Sequence, residues 1–289
     1  MPPGRTTKNK AIRLTTRDQV ILRDLGDYRF LSIPQLHALH FPSKGSAERR
    51  LRELFEAGFA TRVFLSARPY DRATSTIYAL SLRGARMLRE LDPASFPQVL
   101  PEHERRSALF LDHTLRRNDL RICLELLARQ DPGFQLLGWK QAREDVRAVA
   151  QVRRGRTTER VAIVPDGAFS IRVAGACHAF AVEIDMGTVA PRRMETRYRA
   201  YWTWHRARGH LARHGPAPLR VLTLTTTPSR LERLRQAAIT APTEGREGSG
   251  LFWFALLDVA DLRQPDRLLR RAWRVARRVD ERIHALLET

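Results

Sequence analysis

The chain has 289 residues, 43% of them hydrophobic, which is enough for two packed domains and too much for wholesale disorder. Its 51 basic residues against 31 acidic ones give a net charge of +20 and a pI near 11.3, a balance that favours a polyanionic partner, nucleic acid before an anionic membrane surface. Two cysteines, Cys123 and Cys177, are too few for a disulfide framework or a Cys-based zinc site, and read as reduced core thiols; with no bilayer-length apolar run and no signal-peptide apolar region in MPPGRTTKNKAIR, a cytoplasmic protein is expected.

Residues 1–13 read as a flexible basic arm. Residues 14–91 form a first predicted domain. Thr15 or Thr16 caps a helix with Asp18 in its first turn and an apolar stripe through Val20, Ile21, Leu25 and Tyr28. Ser32 caps a short second helix through Ile33, Leu36 and Leu39. A third helix carries Ala47, Leu51, Leu54 and Phe55, ends at Gly58, and gathers Lys44, Arg49, Arg50 and Arg52 on its early turns. Two strands, 60–66 and 75–81, then bracket a turn-rich loop at 67–72, and a last helix covers 82–91.

Three helices, a hairpin and a trailing helix resemble the winged helix-turn-helix family, with Ile77-Tyr78-Ala79-Leu80-Ser81-Leu82-Arg83-Gly84 as the exit from the wing. That resemblance implies double-stranded DNA as partner, the third helix in the major groove and the wing on the backbone or minor groove. It places Lys44, Ser46, Arg49 and Arg50 against DNA, and Arg68 and Arg72 on the wing. Solvation of a helix face, or a protein-binding role for the domain, are the competing readings.

Residues 92–106 (DPASFPQVLPEHERR) hold three prolines and a charge run and read as a linker. The second predicted domain, 107–289, opens with a helix at 107–130 containing His113, Asn118 and Asp119. A strand at 134–139 is followed by an Arg-rich stretch, 141–159, read as a long loop or excursion. The run VAIVPD reads as a strand ending at Asp166, with a bend at Gly167. From Phe180 the residues alternate, so Ala181, Glu183 and Asp185 share one face of a strand. A hairpin could bring Asp166 beside them, and three clustered carboxylates repel unless a cation offsets them. Then come a long basic helix with Tyr198, Tyr201, Trp202 and Trp204, buried strands at 219–225 and 251–257, a helix at 231–240 between them, and a closing basic helix from Pro265 to Leu287.

Helix, three strands, helix, strand fits a mixed sheet flanked by helices. With Asp166 and Glu183-x-Asp185 the order resembles the PD-(D/E)XK nuclease superfamily, and the expected fold class is α/β (α+β), a winged helix domain followed by a PD-(D/E)XK-like domain. More narrowly, the chain resembles the plasmid replication-relaxation family through His113, Asn118, Asp119, Pro165, Asp166, Glu183, Asp185, Arg197, Tyr198 and Tyr201.

The resemblance implies Mg²⁺ held by Asp166, Glu183 and Asp185, with Arg197 and His113 as further catalytic candidates. The position of the superfamily's lysine is Asp185 here. Arg193 and Arg197 can stabilise charge but cannot serve as bases, and Lys140 is remote. Three readings of the acidic trio stay open: metal-dependent endonuclease or nickase, a metal or DNA-backbone site without turnover, and a structural cluster paired to Arg193, Arg197 or His113. At the level of function, a replication or mobilisation nuclease competes with a non-catalytic regulator that uses the second domain for homodimerisation or partner contacts. His210 and His214 have i, i+4 spacing without an acidic companion, so zinc is not expected there.

Overall fold

Helix α1 (Thr16–Tyr28) begins where it does because Thr15 and Asp18 cap each other. The Asp18 carboxylate accepts from the Thr15 amide and hydroxyl, both at 2.7 Å, and the Thr15 hydroxyl accepts from the Asp18 amide at 3.3 Å. Its inner face buries Ile21, Leu22, Leu25 and Tyr28. Strand β1 (Leu31–Ser32) runs into α2 (Ile33–His40), capped by the Ser32–Gln35 pair. Ser43 caps α3 (Lys44–Glu56). Strands β2 (Ala60–Val63) and β3 (Ile77–Leu80) complete an antiparallel sheet in the order β1-β3-β2, and α4 (Leu82–Leu91) follows. Gly84 lets α4 lie against the β2 entry, since a Cβ there would run into the Phe59 carbonyl oxygen. This computed structural model describes residues 12–63, 76–93, 107–141, 143–154, 156–241 and 248–287, so the loop with Arg68 and Arg72 lies outside the described residues.

The chain divides into two units, Met1–Ile122 and Cys123–Thr289, and the division falls inside helix α5 (Ala108–Gln130) rather than in the predicted 92–106 linker. The reason is polar as well as apolar. The Asn118 side-chain amide donates to the carbonyls of Tyr28 (3.2 Å) and Phe30 (2.7 Å). Gln35 donates to the Leu115 carbonyl and the Asp119 carboxylate, both at 2.8 Å. Leu111 and Leu115 join Phe30, Ile77 and Ala79 in one buried cluster. The N-terminal part of α5, up to Ile122, therefore belongs to the first unit.

The second unit is built on a seven-stranded mixed sheet, in the order β12-β11-β10-β9-β8-β7-β4. The elements in chain order are β4 (Phe134–Lys140), the single turn α6 (Arg143–Val146), β5 (Ala148–Arg154), β6 (Thr157–Ile163), β7 (Gly167–Val173), β8 (Ala176–Asp185) and α7 (Pro191–Arg206). After them come α8 (Leu211–His214), β9 (Leu219–Thr225), α9 (Pro228–Ile239), β10 (Gly248–Leu256), two 3-10 turns (Leu257–Val259 and Pro265–Leu268), β11 (Arg271–Arg277) and β12 (His284–Ala285). Strands β4, β7 and β8 form an antiparallel meander. Helix α7 then carries the chain to β9, which runs parallel to β8, and β10 runs parallel to β9. The α/β class expected from the sequence is the one observed.

Two predicted elements differ. Residues 141–159 are not a loop: β5 and β6 pair as a separate hairpin whose Ala150, Val152 and Ile163 bury with Met194, Tyr198 and Tyr201 of α7. The closing helix 265–287 is instead a 3-10 turn and two strands. RAWRVAR places Trp273 and Val275 inward with Arg274 between them, and Ala276 is buried beside them; the arginines at 271, 274 and 277 disguise the strand as a basic helix. The expected bend lies at Asp166, immediately before Gly167. Gly167 opens β7 under the Trp139 ring, where a Cβ would sit 2.6 Å from Cζ2. Of the two cysteines, Cys123 is buried and Cys177 only partly so. No described helix is long and apolar enough to cross a membrane.

Candidate functional site at the end of strand β8

The C-terminal half of β8 is buried on both faces. Phe180, Val182 and Ile184 take one side, and Ala181, Glu183 and Asp185 the other, where α7 and α9 pack. Two carboxylates buried among apolar side chains require partners, because an unpaired buried charge is far costlier than a paired one. Each finds one on a different helix.

Glu183, 1% exposed, accepts from the Tyr201 hydroxyl at 2.7 Å and from the Arg197 guanidinium, so α7 satisfies both of its oxygens. Burial pushes the Glu183 carboxyl up to about 7, against the pull of Arg197, and the neighbouring Asp166 pushes in the same direction. The Arg197 guanidinium is held above its ordinary value by Glu183. Burial, reinforced by the Glu183 charge, lifts the Tyr201 phenol well above its usual range. With 1% of its surface exposed, Tyr201 is a hydrogen-bond donor in the core and is closed to any DNA strand.

Asp185, 3% exposed, turns to α9. Arg230 grips it through Nε and Nη2, each 2.9 Å from a different carboxylate oxygen, and the Thr225 hydroxyl donates at 2.7 Å. Arg230 also donates to the Val189 carbonyl, tying the β8–α7 connection to the same helix. The sequence alone does not single out Arg230, because it lies 45 residues from Asp185; the buried-strand pattern at 219–225 followed by a helix is the signal that a side chain from that helix reaches the β8 end.

Asp166 precedes β7. Its amide donates to the Val182 carbonyl at 2.8 Å, and its Oδ2 accepts from the Ile184 amide at 2.8 Å, which fixes it beside Glu183. Asp166 and Glu183 are thus brought together, and Asp185 is drawn away to Arg230. Among the described residues no three His, Cys, Asp or Glu side chains are grouped to hold a metal ion. The expected trio does not form, and the residues present do not fit a divalent cation. Glu183 and Asp185 have their oxygens occupied by Arg197, Tyr201, Arg230 and Thr225, and Mg²⁺ requires several oxygen ligands at once. The pairing expected for Arg197 is present; Arg193 is exposed, and Lys140 is exposed at the end of β4. His113 lies in the first unit, partly buried on α5, and the carboxylates lie in the second.

In the first unit, α3 sorts its cations. Arg50 turns inward: Nε and Nη2 contact the two Asp18 oxygens at 2.9 and 2.6 Å, Nη1 reaches Glu53 at 2.5 Å, and Nη2 also meets the Arg13 carbonyl. Arg50 is therefore not on the expected DNA face; it locks α3 to the start of α1. Burial pushes the Asp18 carboxyl up, but the Arg50 and Thr15 hydrogen bonds outweigh it and hold it below its ordinary value. Lys44, Arg49 and Arg52 are exposed, and Lys44 has a 3.6 Å contact with Glu48. Ser46 is half-buried in the cap, its hydroxyl 2.7 Å from the Ser43 carbonyl.

Comparison with protein families decides the kinship. The replication-relaxation family matches residues 22–219, well over half of the chain. The chain belongs to the replication-relaxation family. This kinship supports a role in the replication of a plasmid or other mobile element. The family match spans both units and takes in β8, α7 and the first residue of β9, and it stops before Arg230 and the strands β10 to β12. No curated protein and no solved structure matched the chain.

Proposed function

We propose that the protein binds duplex DNA through its first unit and serves plasmid or mobile-element replication without cutting the strand itself. The element order α1-β1-α2-α3-β2-β3 supports a winged helix-turn-helix reading, in which α3 would be the recognition helix. The observation that carries this reading is the partition on α3: Arg50 is used up inside the fold, while Lys44, Arg49 and Arg52 stand exposed. Contacts from such residues to phosphates are charge-driven and weaken with salt. The chain's net charge of +20 adds long-range attraction.

The order α5-β4-β7-β8-α7-β9 supports a PD-(D/E)XK-like ancestry for the second unit. Its acidic positions have become a two-armed ion-pair core, Glu183 with Arg197 and Asp185 with Arg230. In this reading the unit contributes a rigid platform. A gel shift on duplex DNA, comparing the parent with Arg49→Ala/Arg52→Ala, tests the first claim. Weaker binding and a shallower salt slope in the double variant agree with it, and an unchanged shift refutes it.

A further inference from the structure

Beyond residue 219, where the family match ends, the chain adds β10, β11 and β12 to the far side of the sheet, and a cleft of about 700 Å³ opens there. Its walls come from the start of α9, the two 3-10 turns and β11. Arg267, Arg270, Arg271 and Arg274 line it, above an apolar floor of Leu231, Leu256 and Val259. A second cleft of about 530 Å³, lined by Arg271, Arg282, Ile283 and His284, adjoins the first through Arg271 and Ile283. Together they form a track with five arginines.

The carboxylates at the track offset only part of this charge. Among the described residues Glu232 and Asp258 line it, and Asp280 pairs with His284 of the second cleft at 2.9 Å. Glu232 is engaged by Arg235 at 2.8 Å and by Gln236 at 2.7 Å. Asp258 pairs with Arg267 at 3.0 Å, and Asp266, just outside, pairs with Arg270. Even so, the Arg267 and Arg270 side chains remain 42% and 67% exposed. Arg274 donates to the Glu281 carbonyl at 3.3 Å.

We propose that this double cleft is a binding site for single-stranded DNA, separate from the duplex-binding face of the first unit. The shape selects the ligand. A cleft of this size lies within the roughly 300–1,000 Å³ range of pockets that enclose small ligands. A duplex needs a broader surface, about 1,000–2,500 Å² of protein for a specific complex. The continuation past Arg271 and Ile283 favours a chain of nucleotides over one free nucleotide. Guanidinium groups take up phosphate oxygens and stack on bases without reading sequence. Every residue involved lies between 228 and 284, so the site owes nothing to α3.

The test is fluorescence anisotropy of the full-length protein with a labelled oligothymidylate and, separately, a labelled duplex, at about 150 mM salt, the physiological level. Arg270→Ala/Arg274→Ala is expected to weaken oligothymidylate binding by about tenfold or more. The slope of log affinity against log salt should fall by about 1.4, as removal of two single-strand phosphate partners requires, with duplex binding retained. Arg49→Ala/Arg52→Ala is expected to show the reverse. Arg270→Gln, at a side chain 67% exposed, keeps the fold if the double variant melts early, and should weaken binding by a smaller share in the same direction. Absence of oligothymidylate binding by the parent, or affinity unchanged in both Arg270 variants, overturns the proposal and leaves the duplex reading untouched.

Discussion

Asp185 and Arg230 meet in a two-pronged pair, Oδ2 to Nε and Oδ1 to Nη2, each at 2.9 Å, with the two side chains 1% and 7% exposed. The pair joins the last residue of β8 to the first turn of α9 and occupies the carboxylate that a metal site would need. Its removal from water is offset only while both partners are present. Arg230→Met should therefore destabilise the second unit by about 3–5 kcal/mol, and Arg230→Met/Asp185→Leu should regain most of the loss. Urea denaturation midpoints of the parent, the single variant and the double variant measure this. Equal destabilisation in single and double variants would show that the pair is not the connection described.

Glu183 supplies a pH signature. Its folded value is raised, from an ordinary 4.5 to about 7, because burial disfavours the charged form. The stability that follows from this shift is fully present below pH 4.5 and is lost as pH rises towards 7. Glu183→Gln keeps an acceptor for Tyr201 and Arg197 and cannot ionise. Across that window the parent should lose stability relative to the glutamine variant. Thermal melts in a buffer series spanning the two values report it, and parallel curves would argue against the raised value.

Arg50 and its neighbours on α3 should separate cleanly. Arg50→Ala leaves Asp18, 0% exposed, without its main cationic partner and loosens the α1 cap, so a loss of about 3 kcal/mol is expected. Arg49→Ala and Arg52→Ala, on exposed side chains, should leave stability within about 0.5 kcal/mol and lower the salt slope of duplex binding by about 1 for each phosphate no longer neutralised. Denaturation and gel shifts on the same three proteins distinguish the roles.

Much of this architecture is legible in the chain itself. The caps at Thr15 and Ser32, the period-two strand from Phe180 and the buried run at 219–225 are local signals, and local signals set the element order. Long-range pairing is not legible. Nothing near Asp185 points to Arg230, nothing near Arg50 points to Asp18, and Asn118 reads as a motif residue until its amide is seen holding the carbonyls of Tyr28 and Phe30. Packing, not the proline-rich run, decides which unit helix α5 joins, and that packing is not written in the local sequence. In β5 and β11 the abundance of arginine hides the strand period, because a long arginine stem lies along an apolar surface while its head stays in water.

The most direct test of a DNA-binding protein that does not cut is to incubate the parent with supercoiled plasmid, with Mg²⁺ or Mn²⁺ present, and to score retardation and nicking on one gel. Retardation of the plasmid with no rise in nicked circles is the predicted result. Nicked circles that accumulate with the parent and vanish with Asp166→Ala and Glu183→Ala would contradict it, since they would require the carboxylates to leave Arg197 and Arg230 and gather around a metal.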